Sequence, residues 1–406
     1  MSHLKVAFKV VTPVLGGGVR VDETRRHHKP IDPRTPIRSS SIRGQLRFWW
    51  RCMCGHAFDS IEAMRAREAE IWGAASSPGA VSIDVIRQPE STSDVAVYEL
   101  TPNKHDPQKK NIRPRPGFEA VAYGAFSLQT EQQLLNDPVR GAPGTLTRLE
   151  GECGLALSFP EVLRTDVERA IDAWLTFGGI GARTRRGFGA VTPTNRTIDI
   201  ARLLRSAAPP RLALVPGLTP SCTFEVARGE RPTEAQKHGL QRLKEFRQGD
   251  GVGRNPGAGK KSGRSRWPEP EAIRELTEKW DRAHLERFVR VDKFPRAAFG
   301  MPIIFHFQSN QDPRDTTLAP VGYERMASPL ILRPVPREDG WACLGIILQV
   351  PDRSSVKLEL KGAQLKSEVR AGLSPEEAAR VKPMNQSAPG VTDPLEAFRR
   401  FVSPRG

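Results

Sequence analysis

A glycine- and arginine-rich run at residues 178–189 constrains the fold of this 406-residue chain more than any other feature. The run reads GGIGARTRRGFG, with five glycines, three arginines, one aromatic ring and no acid. So much glycine disfavours a regular helix or strand, and its freedom at positive φ favours a tight loop. Bare amides in such a loop can cradle phosphate oxygens, and arginine adds planar forks of donors. The run predicts a loop that binds a polyanion, although a plain tight turn would explain two or three of the glycines.

The overall charge indicates the same class of ligand. A formal net charge of +16 and a pI near 10 are typical of proteins that face nucleic acid or an anionic membrane. The chain has no apolar stretch near the roughly 18 residues that cross a bilayer. Its first residues predict a strand rather than a signal sequence. We therefore expect a cytoplasmic protein that binds nucleic acid and not membranes.

Mononucleotide cofactors and metals are not expected. Gly179 and Gly181 begin like a dinucleotide fingerprint, but Thr184 stands where the third glycine belongs and the run follows a predicted helix. A second glycine run fails as a P-loop, because Arg254 replaces its first glycine and Lys261 its serine or threonine. The five cysteines and eight histidines show no metal-ligand spacing. The predicted anion is therefore a nucleic acid backbone.

Predicted strands and helices alternate along the whole chain, which favours an α+β fold. In the first half the pattern predicts strands at 4–11, 80–86, 95–100, 120–128 and 154–159, and helices at 42–53, 60–72 and 165–177. In the second half it predicts strands at 221–227, 302–308, 328–334, 341–350 and 356–361, and helices at 233–246, 269–281, 375–381 and 394–402. We expect two tandem ferredoxin-like (RRM-like, βαββαβ) domains with long loop insertions, at 1–200 and 215–406.

The predicted helix at 42–53 carries two stripes. Ile42, Leu46, a tryptophan and Met53 form an apolar stripe at helical spacing, and Ser39–Ser41 offer N-cap hydroxyls. A separate basic stripe holds Arg43, Arg47 and Arg51, with Arg38 just before the helix. An ordinary solvated face is one interpretation. Such a face normally mixes both signs of charge, and residues 35–58 contain no acid, so phosphate binding is favoured.

A basic insert at 247–267 is a second candidate for RNA contact. It contains six glycines and six lysines or arginines against one aspartate. A disordered linker is the plain interpretation. Lys260, Arg264, Arg266 and Trp267 nevertheless combine charge with a stacking surface, as single-stranded RNA requires.

Catalytic residues are harder to find. His27 and His28 lie in a basic loop, where a metal-independent ribonuclease would place a general acid or base. Asp22 and Asp32 flank them. No nucleophile elbow, zinc signature or pair of metal-binding carboxylates stands out, so we expect no enzyme activity.

These motifs together resemble the RAMP superfamily, the ferredoxin-like RNA-binding proteins of CRISPR effector complexes. The run at 178–189 resembles the glycine loop of that superfamily. The segment at 36–51, PIRSSSIRGQLRFWWR, is more specifically similar to the first subunits of type III-B (Cmr-type) complexes. Further agreement comes from Thr12-Pro13 with Gly16-Gly17, from GRSRWP at 263–268 and from RMASPL at 325–330.

The resemblance implies a non-catalytic subunit that holds the 3′ region of CRISPR RNA or its target duplex, beside other RAMP subunits. CRISPR RNA, target RNA and those subunits are the implied partners. Carried over by position, the implied RNA contacts are Arg38, Arg43, Arg47, Gly179, Gly181, Arg183, Arg185 and Arg186. The alternative is a RAMP-type endoribonuclease that processes CRISPR RNA through His27 or His28, or cleaves target RNA through Asp22 or Asp32.

Overall fold

A computed structural model describes residues 1–18, 30–104, 106–138, 140–257, 263–282, 289–307, 309–362 and 365–403. Helices in these ranges are α1 (Ser39–Cys54), α2 (Ile61–Trp72), α3 (Glu119–Gly124), α4 (Arg164–Phe177), α5 (Ile200–Arg205), α6 (Pro232–Gln248), α7 (Glu269–Thr277), α8 (Pro375–Arg380), α9 (Lys382–Ser387) and α10 (Pro394–Val402). The strands are β1 (Ser2–Val10), β2 (Ser82–Arg87), β3 (Glu90–Ala96), β4 (Tyr98–Pro102), β5 (Lys110–Pro114), β6 (Thr145–Glu150), β7 (Glu152–Phe159), β8 (Val191–Pro193), β9 (Thr223–Gly229), β10 (Ile303–Phe305), β11 (Thr316–Pro320), β12 (Leu330–Arg337), β13 (Gly340–Ile347), β14 (Leu358–Gly362) and β15 (Leu365–Val369).

The amino-terminal sheet is antiparallel, with the strand order β2–β7–β1–β8. Residues of β1 alternate between its two faces, as the period of a strand requires. Val6 and Phe8 are buried, whereas Lys5 and Lys9 are exposed. The helix α1 follows β1 and α4 follows β7, so each helix connects two strands that are not neighbours in the sheet.

Aromatic side chains pack α1 and α4 against this sheet. The ring of Phe8 on β1 lies 5.1 Å from that of Trp174 on α4, edge to face. Trp49 on α1 lies 5.9 Å from Phe177 on α4. Trp50 donates its indole N–H to Asp166 at 2.8 Å, which satisfies a polar group inside the packed layer. The apolar stripe of α1 therefore faces the core, as the sequence predicted.

Two local predictions in this half were wrong. Residues 120–128 form α3 and a short 3₁₀ turn instead of a strand. A short apolar run does not by itself distinguish a strand from a buried helical turn. The serines at 39–41 do not cap α1 either, since they form its first turn and Arg38 is the N-cap without a side-chain bond.

The described contacts divide the chain into two compact units. One contains residues 1–223, 227–241 and 331–349, and the other contains 224–226, 242–330 and 350–406. The remaining sheets have the orders β10–β11–β14–β15, β12–β13–β9, β3–β6 and β4–β5. The units interleave along the chain, whereas the sequence predicted sequential domains at 1–200 and 215–406, and those boundaries stay a prediction.

The second unit has an aromatic cluster of its own, centred on Phe246. The rings of Trp267, Phe398 and Phe401 lie 5.3–5.6 Å from that of Phe246.

Within the described ranges, no helix combines the length and apolar character that crossing a membrane requires.

Candidate nucleic-acid interface

The glycine- and arginine-rich run (the Gly/Arg loop, residues 178–189) begins where α4 ends, and a buried arginine holds that end. Arg333 donates from Nε to the carbonyl of Thr176 at 3.0 Å and from Nη2 to Leu175 at 3.1 Å. It also donates to the carbonyl of Val191 on β8. Burial lowers the pKa of this guanidinium to about 9, so it remains a cation at neutral pH. A cation suits the carboxyl end of a helix, where carbonyls lack partners.

Glycine is required in the Gly/Arg loop because backbone packs directly on backbone. A Cβ on Gly179 would lie 2.6 Å from the carbonyl oxygen of Gly189. Gly181 has φ +76°, and a Cβ there would lie 2.5 Å from Val14 Cγ1. The Cα of Gly181 in turn sits 3.0 Å from where a Cβ of Gly17 would be. The Gly/Arg loop therefore packs closely against the turn that follows β1.

Much of the loop's backbone is used in this packing. The amides of Gly178, Ile180, Ala182, Arg186, Gly187 and Gly189 donate to carbonyls of Trp174, Gly189, Leu15, Arg183, Thr184 and Pro13, respectively. Half of the amides in the run thus have protein acceptors, which argues against the predicted cradle of bare amides. The glycines shape the loop, and their predicted contact with RNA stays a prediction.

The loop's arginines lie on a short 3₁₀ turn flanked by left-handed residues. Arg183 has φ +55° and Gly187 has φ +76°, and between them Thr184–Arg186 form the turn. Side chains on successive residues of such a turn point in different directions, so one turn delivers several guanidinium groups to different neighbours.

Two of these guanidinium groups lie over aromatic rings. Arg183 sits 3.9 Å from the ring centre of Phe126, which is 57% exposed. It also donates to the hydroxyl of Ser127 at 3.2 Å. Arg185 sits 5.2 Å from the ring centre of Phe48 on α1, and burial lowers its pKa from the usual value. Arg183 donates from Nη1 to the carbonyl of Gly124 at 3.3 Å as well, so cation–π contacts and hydrogen bonds together fix the orientation of its guanidinium.

The remaining loop arginine and Arg38 support the backbone. Arg186 donates from Nη1 to the carbonyl of Arg185 at 3.1 Å, and its own carbonyl accepts from Gln236. Arg38 donates from Nη2 to the carbonyl of Gly17 at 2.6 Å. Arg38 therefore lies beside the turn on which the Gly/Arg loop packs, which brings it and the loop arginines into the same unit.

A cleft of about 260 Å³ opens between α1 and the Gly/Arg loop. Its apolar walls include Phe48, Trp49 and Phe177. Its polar lining includes Gln45, Thr184 and Arg185. Because α1 supplies Gln45 and Phe48 and the loop supplies Thr184 and Arg185, only the folded chain brings these groups together.

The three arginines of the basic stripe of α1 all have partners within the protein. Glu68 on α2 is buried and accepts from Arg47 at 2.7 Å and from Arg51 at 2.8 Å. Arg43 donates to the carbonyls of Trp72 and Val81, at 2.9 and 3.0 Å. The acid missing from residues 35–58 is supplied by a neighbouring helix. Contact of Arg43 and Arg47 with RNA stays a prediction.

The basic insert is also engaged inside its own unit. Trp267 is fully buried, edge-on to Phe246 at 5.5 Å, so its predicted role as an exposed stacking surface was wrong. Arg264 pairs with Glu271 at 2.9 Å, and Arg266 donates to Asn255 at 2.8 Å. Lys260 lies outside the described residues. Trp267 is buried because a tryptophan side chain stabilises the protein far more inside an apolar core than in an exposed position.

The residues of the catalytic alternative are mostly not described. His27, His28 and Asp22 lie outside the described ranges. Asp32 is exposed and accepts from the hydroxyl of Thr35 and the amide of Arg34, contacts that lower its pKa. That is the geometry of an ordinary turn residue. In the described part of the chain, no three His, Cys, Asp or Glu side chains gather as a metal site would need.

Sequence reasoning missed Phe126, Arg333 and Glu68. Phe126 was assigned to a strand, and its position over the loop depends on the irregular segment after α3. Arg333 lies in a strand-like run, where an arginine among apolar residues is a signal of a buried cation. Glu68 gives no local signal, because its partners are on another helix.

Comparison with known proteins agrees with the motifs. A model of the RAMP superfamily matches residues 7–192. Comparison with curated protein sequences gives no match.

Solved structures similar to this chain come from Cmr proteins. They include the apo crystal structure of Cmr1 from Pyrococcus furiosus, with 14% identity and a TM-score of 0.45 over 94% of this chain and 96% of that one. A chain of the Type III-B Cmr-beta complex bound to cognate target RNA has 13% identity and a TM-score of 0.43 over 85% and 94%. The residues that the RAMP superfamily model matches, 7–192, include α1, α4, the strands β2 and β7 of the amino-terminal sheet and the Gly/Arg loop.

Proposed function

We propose that this chain is a non-catalytic, RNA-binding subunit of a type III-B CRISPR effector complex, in contact with CRISPR RNA, its target and other RAMP subunits. The observation that carries the proposal is the Arg183–Arg186 turn, which directs guanidinium groups over Phe126 and Phe48 from one short segment. The match of residues 7–192 to the RAMP superfamily model and the basic net charge support it. The similarity of residues 36–51 to first subunits of Cmr-type complexes supports the choice of complex.

The proposed architecture is two tandem ferredoxin-like domains. In the first half, the sheet order is β2–β7–β1–β8. If these four strands are numbered along the chain, this is the order second, third, first, fourth, with α1 and α4 as the two helical connections. That is the strand order and helix placement of a βαββαβ unit. In the second half, β9, α6, β12 and β13 occur in this order along the chain, with α7, β10 and β11 inserted between α6 and β12. Their sheet has the order β12–β13–β9. This repeats the first three strands of the same plan.

In the proposed binding mode, the loop arginines neutralise backbone phosphates and contribute little sequence selectivity. Arginine forks bind phosphate oxygens bidentately, and such contacts set register rather than sequence. Each phosphate neutralised on a single strand adds about 0.7 to the slope of log affinity against log salt. Binding should therefore weaken steeply as salt rises.

Charge reversal in the loop tests the proposal. The variant Arg183→Glu/Arg185→Glu/Arg186→Glu should bind single-stranded guide RNA far more weakly, and its salt slope should fall by about 2. Fluorescence anisotropy over a salt series measures both quantities. Unchanged affinity and an unchanged slope would refute the proposal.

A matched control separates the loop from net charge. Arg65, Arg115 and Arg148 are exposed and lie in the same unit. Reversing these three changes the net charge by the same amount and should leave most of the affinity in place. If the control loses affinity equally, binding follows overall charge and not the loop.

The non-catalytic part of the proposal has a separate test. Purified protein incubated with a repeat-containing RNA, without metal, should leave the RNA intact. Specific cleavage that is lost in His27→Ala or His28→Ala would favour the endoribonuclease alternative instead.

A further inference from the structure

We infer that the cleft between α1 and the Gly/Arg loop holds one unstacked base of the bound RNA, an inference that rests on the proposed function. Arginines that hold only phosphates need no cleft behind them. Here the turn that carries Arg185 also forms one wall of an aromatic-lined cleft, so the phosphate-binding segment and the cleft share a residue.

The size of the cleft suits a single ring system. At about 260 Å³ it falls below the roughly 300–1,000 Å³ of sites that enclose drug-sized ligands. A strand of RNA has no such small group except its bases, since its sugars and phosphates are hydrophilic and lie along the chain. Single-stranded RNA is commonly recognised through bases that are turned out of the stack.

The lining has the chemistry that a base requires. Phe48, Trp49 and Phe177 give apolar and aromatic walls, of which Phe48 is half-buried and therefore reachable. Phe48 also stands edge to face on Trp49, with ring centres 5.1 Å apart, which fixes its plane. A base can stack on a fixed aromatic plane, and such stacking is worth about 1–3 kcal/mol per base.

Polar groups stand at the same cleft. Gln45 has an amide donor and acceptor, Thr184 has a hydroxyl, and Arg185 has the N–H donors of a guanidinium group. The edge of a base offers alternating donors and acceptors, which amide and guanidinium groups match. A purely apolar ligand would make no use of the Gln45 amide and the Thr184 hydroxyl, so the lining favours a flat heterocycle with a polar edge.

Abasic scanning of the RNA tests the inference. A guide RNA is made with a single abasic site at each position in turn, and its affinity for the full chain is measured by anisotropy. An abasic nucleotide keeps the phosphate, so phosphate binding alone predicts uniform affinity. We expect one position at which affinity falls about tenfold.

Protein variants then assign that position to the cleft. Phe48→Leu keeps an apolar side chain, and Gln45→Leu removes only the amide, so both should fold. Each variant should bind the intact RNA more weakly than the wild type does. The same substitution should weaken binding of the abasic RNA little, because the contact between the base and the cleft is already absent from that RNA. Ser40→Ala, exposed on the same helix, is the control and should retain the full abasic effect.

The outcomes separate the two proposals. If the wild-type chain shows no salt-dependent RNA binding, the proposed function fails. If RNA binds with the same affinity whichever position is abasic, the base-binding cleft is refuted and the proposed function stands. The same conclusion follows if the losses of affinity caused by the abasic site and by Phe48→Leu are additive.

Discussion

Replacing Arg333 with methionine tests how α4 is held where the Gly/Arg loop begins. The substitution keeps much of the aliphatic length but removes the donors to the carbonyls of Leu175, Thr176 and Val191. A buried carbonyl left without a donor costs about 1–3 kcal/mol, so three cost about 3–9 kcal/mol. Methionine has no charge to desolvate, which offsets part of the loss. We therefore expect the free energy of unfolding to fall by about 3 kcal/mol.

Urea unfolding followed by tryptophan fluorescence measures this loss, and hydrogen exchange locates it. Exchange should accelerate at the end of α4 and in the Gly/Arg loop, because both depend on the same cation. Arg337→Met is the matched control, since Arg337 is exposed on the same strand and should change stability by less than about 0.5 kcal/mol. If Arg333→Met is as stable as the control and its loop exchanges at the wild-type rate, the assignment of Arg333 as the support is wrong.

Two further predictions concern buried side chains. Trp267→Ala should destabilise the protein by about 3–5 kcal/mol in urea unfolding and leave the RNA affinity of the folded molecules unchanged. If Trp267→Ala bound RNA more weakly but kept full stability, Trp267 would instead be assigned to the RNA-binding surface. Burial raises the pKa of the Cys343 thiol to about 12, against about 9 for an exposed thiol. Between these values the unfolded thiol ionises first, so the free energy of unfolding falls as pH rises, by up to about 1.4 kcal/mol per pH unit for this group. Cys343→Ala should therefore show a shallower alkaline loss above pH 9, and an equal or steeper loss would contradict the burial argument.

Local patterns predicted the elements that carry the candidate interface. The apolar stripe of α1 and the glycine content of residues 178–189 each reflect interactions between near neighbours in sequence, which composition and spacing encode directly. The helix formed with its apolar stripe in the core, and the run formed a tight loop. The similarity to RAMP proteins rested largely on residues 36–51 and 178–189, and the superfamily match covers both of these segments.

Non-local partners decided most of what local reasoning missed. The arginines of α1 are neutralised by Glu68, and Trp267 is buried against Phe246. In each case the sequence identified side chains that can form strong contacts. It did not show that another part of the same chain makes those contacts.

By itself, the sequence determined that this chain is basic, that it contains an arginine-rich helix and a glycine-shaped loop, and that the two occur together as in RAMP proteins. Only the tertiary structure decided which arginines meet Glu68 and which lie over Phe48 and Phe126. The physical reason is that a guanidinium group binds a carboxylate, a carbonyl or an aromatic face, and the choice depends on which of them the fold brings within a few ångströms.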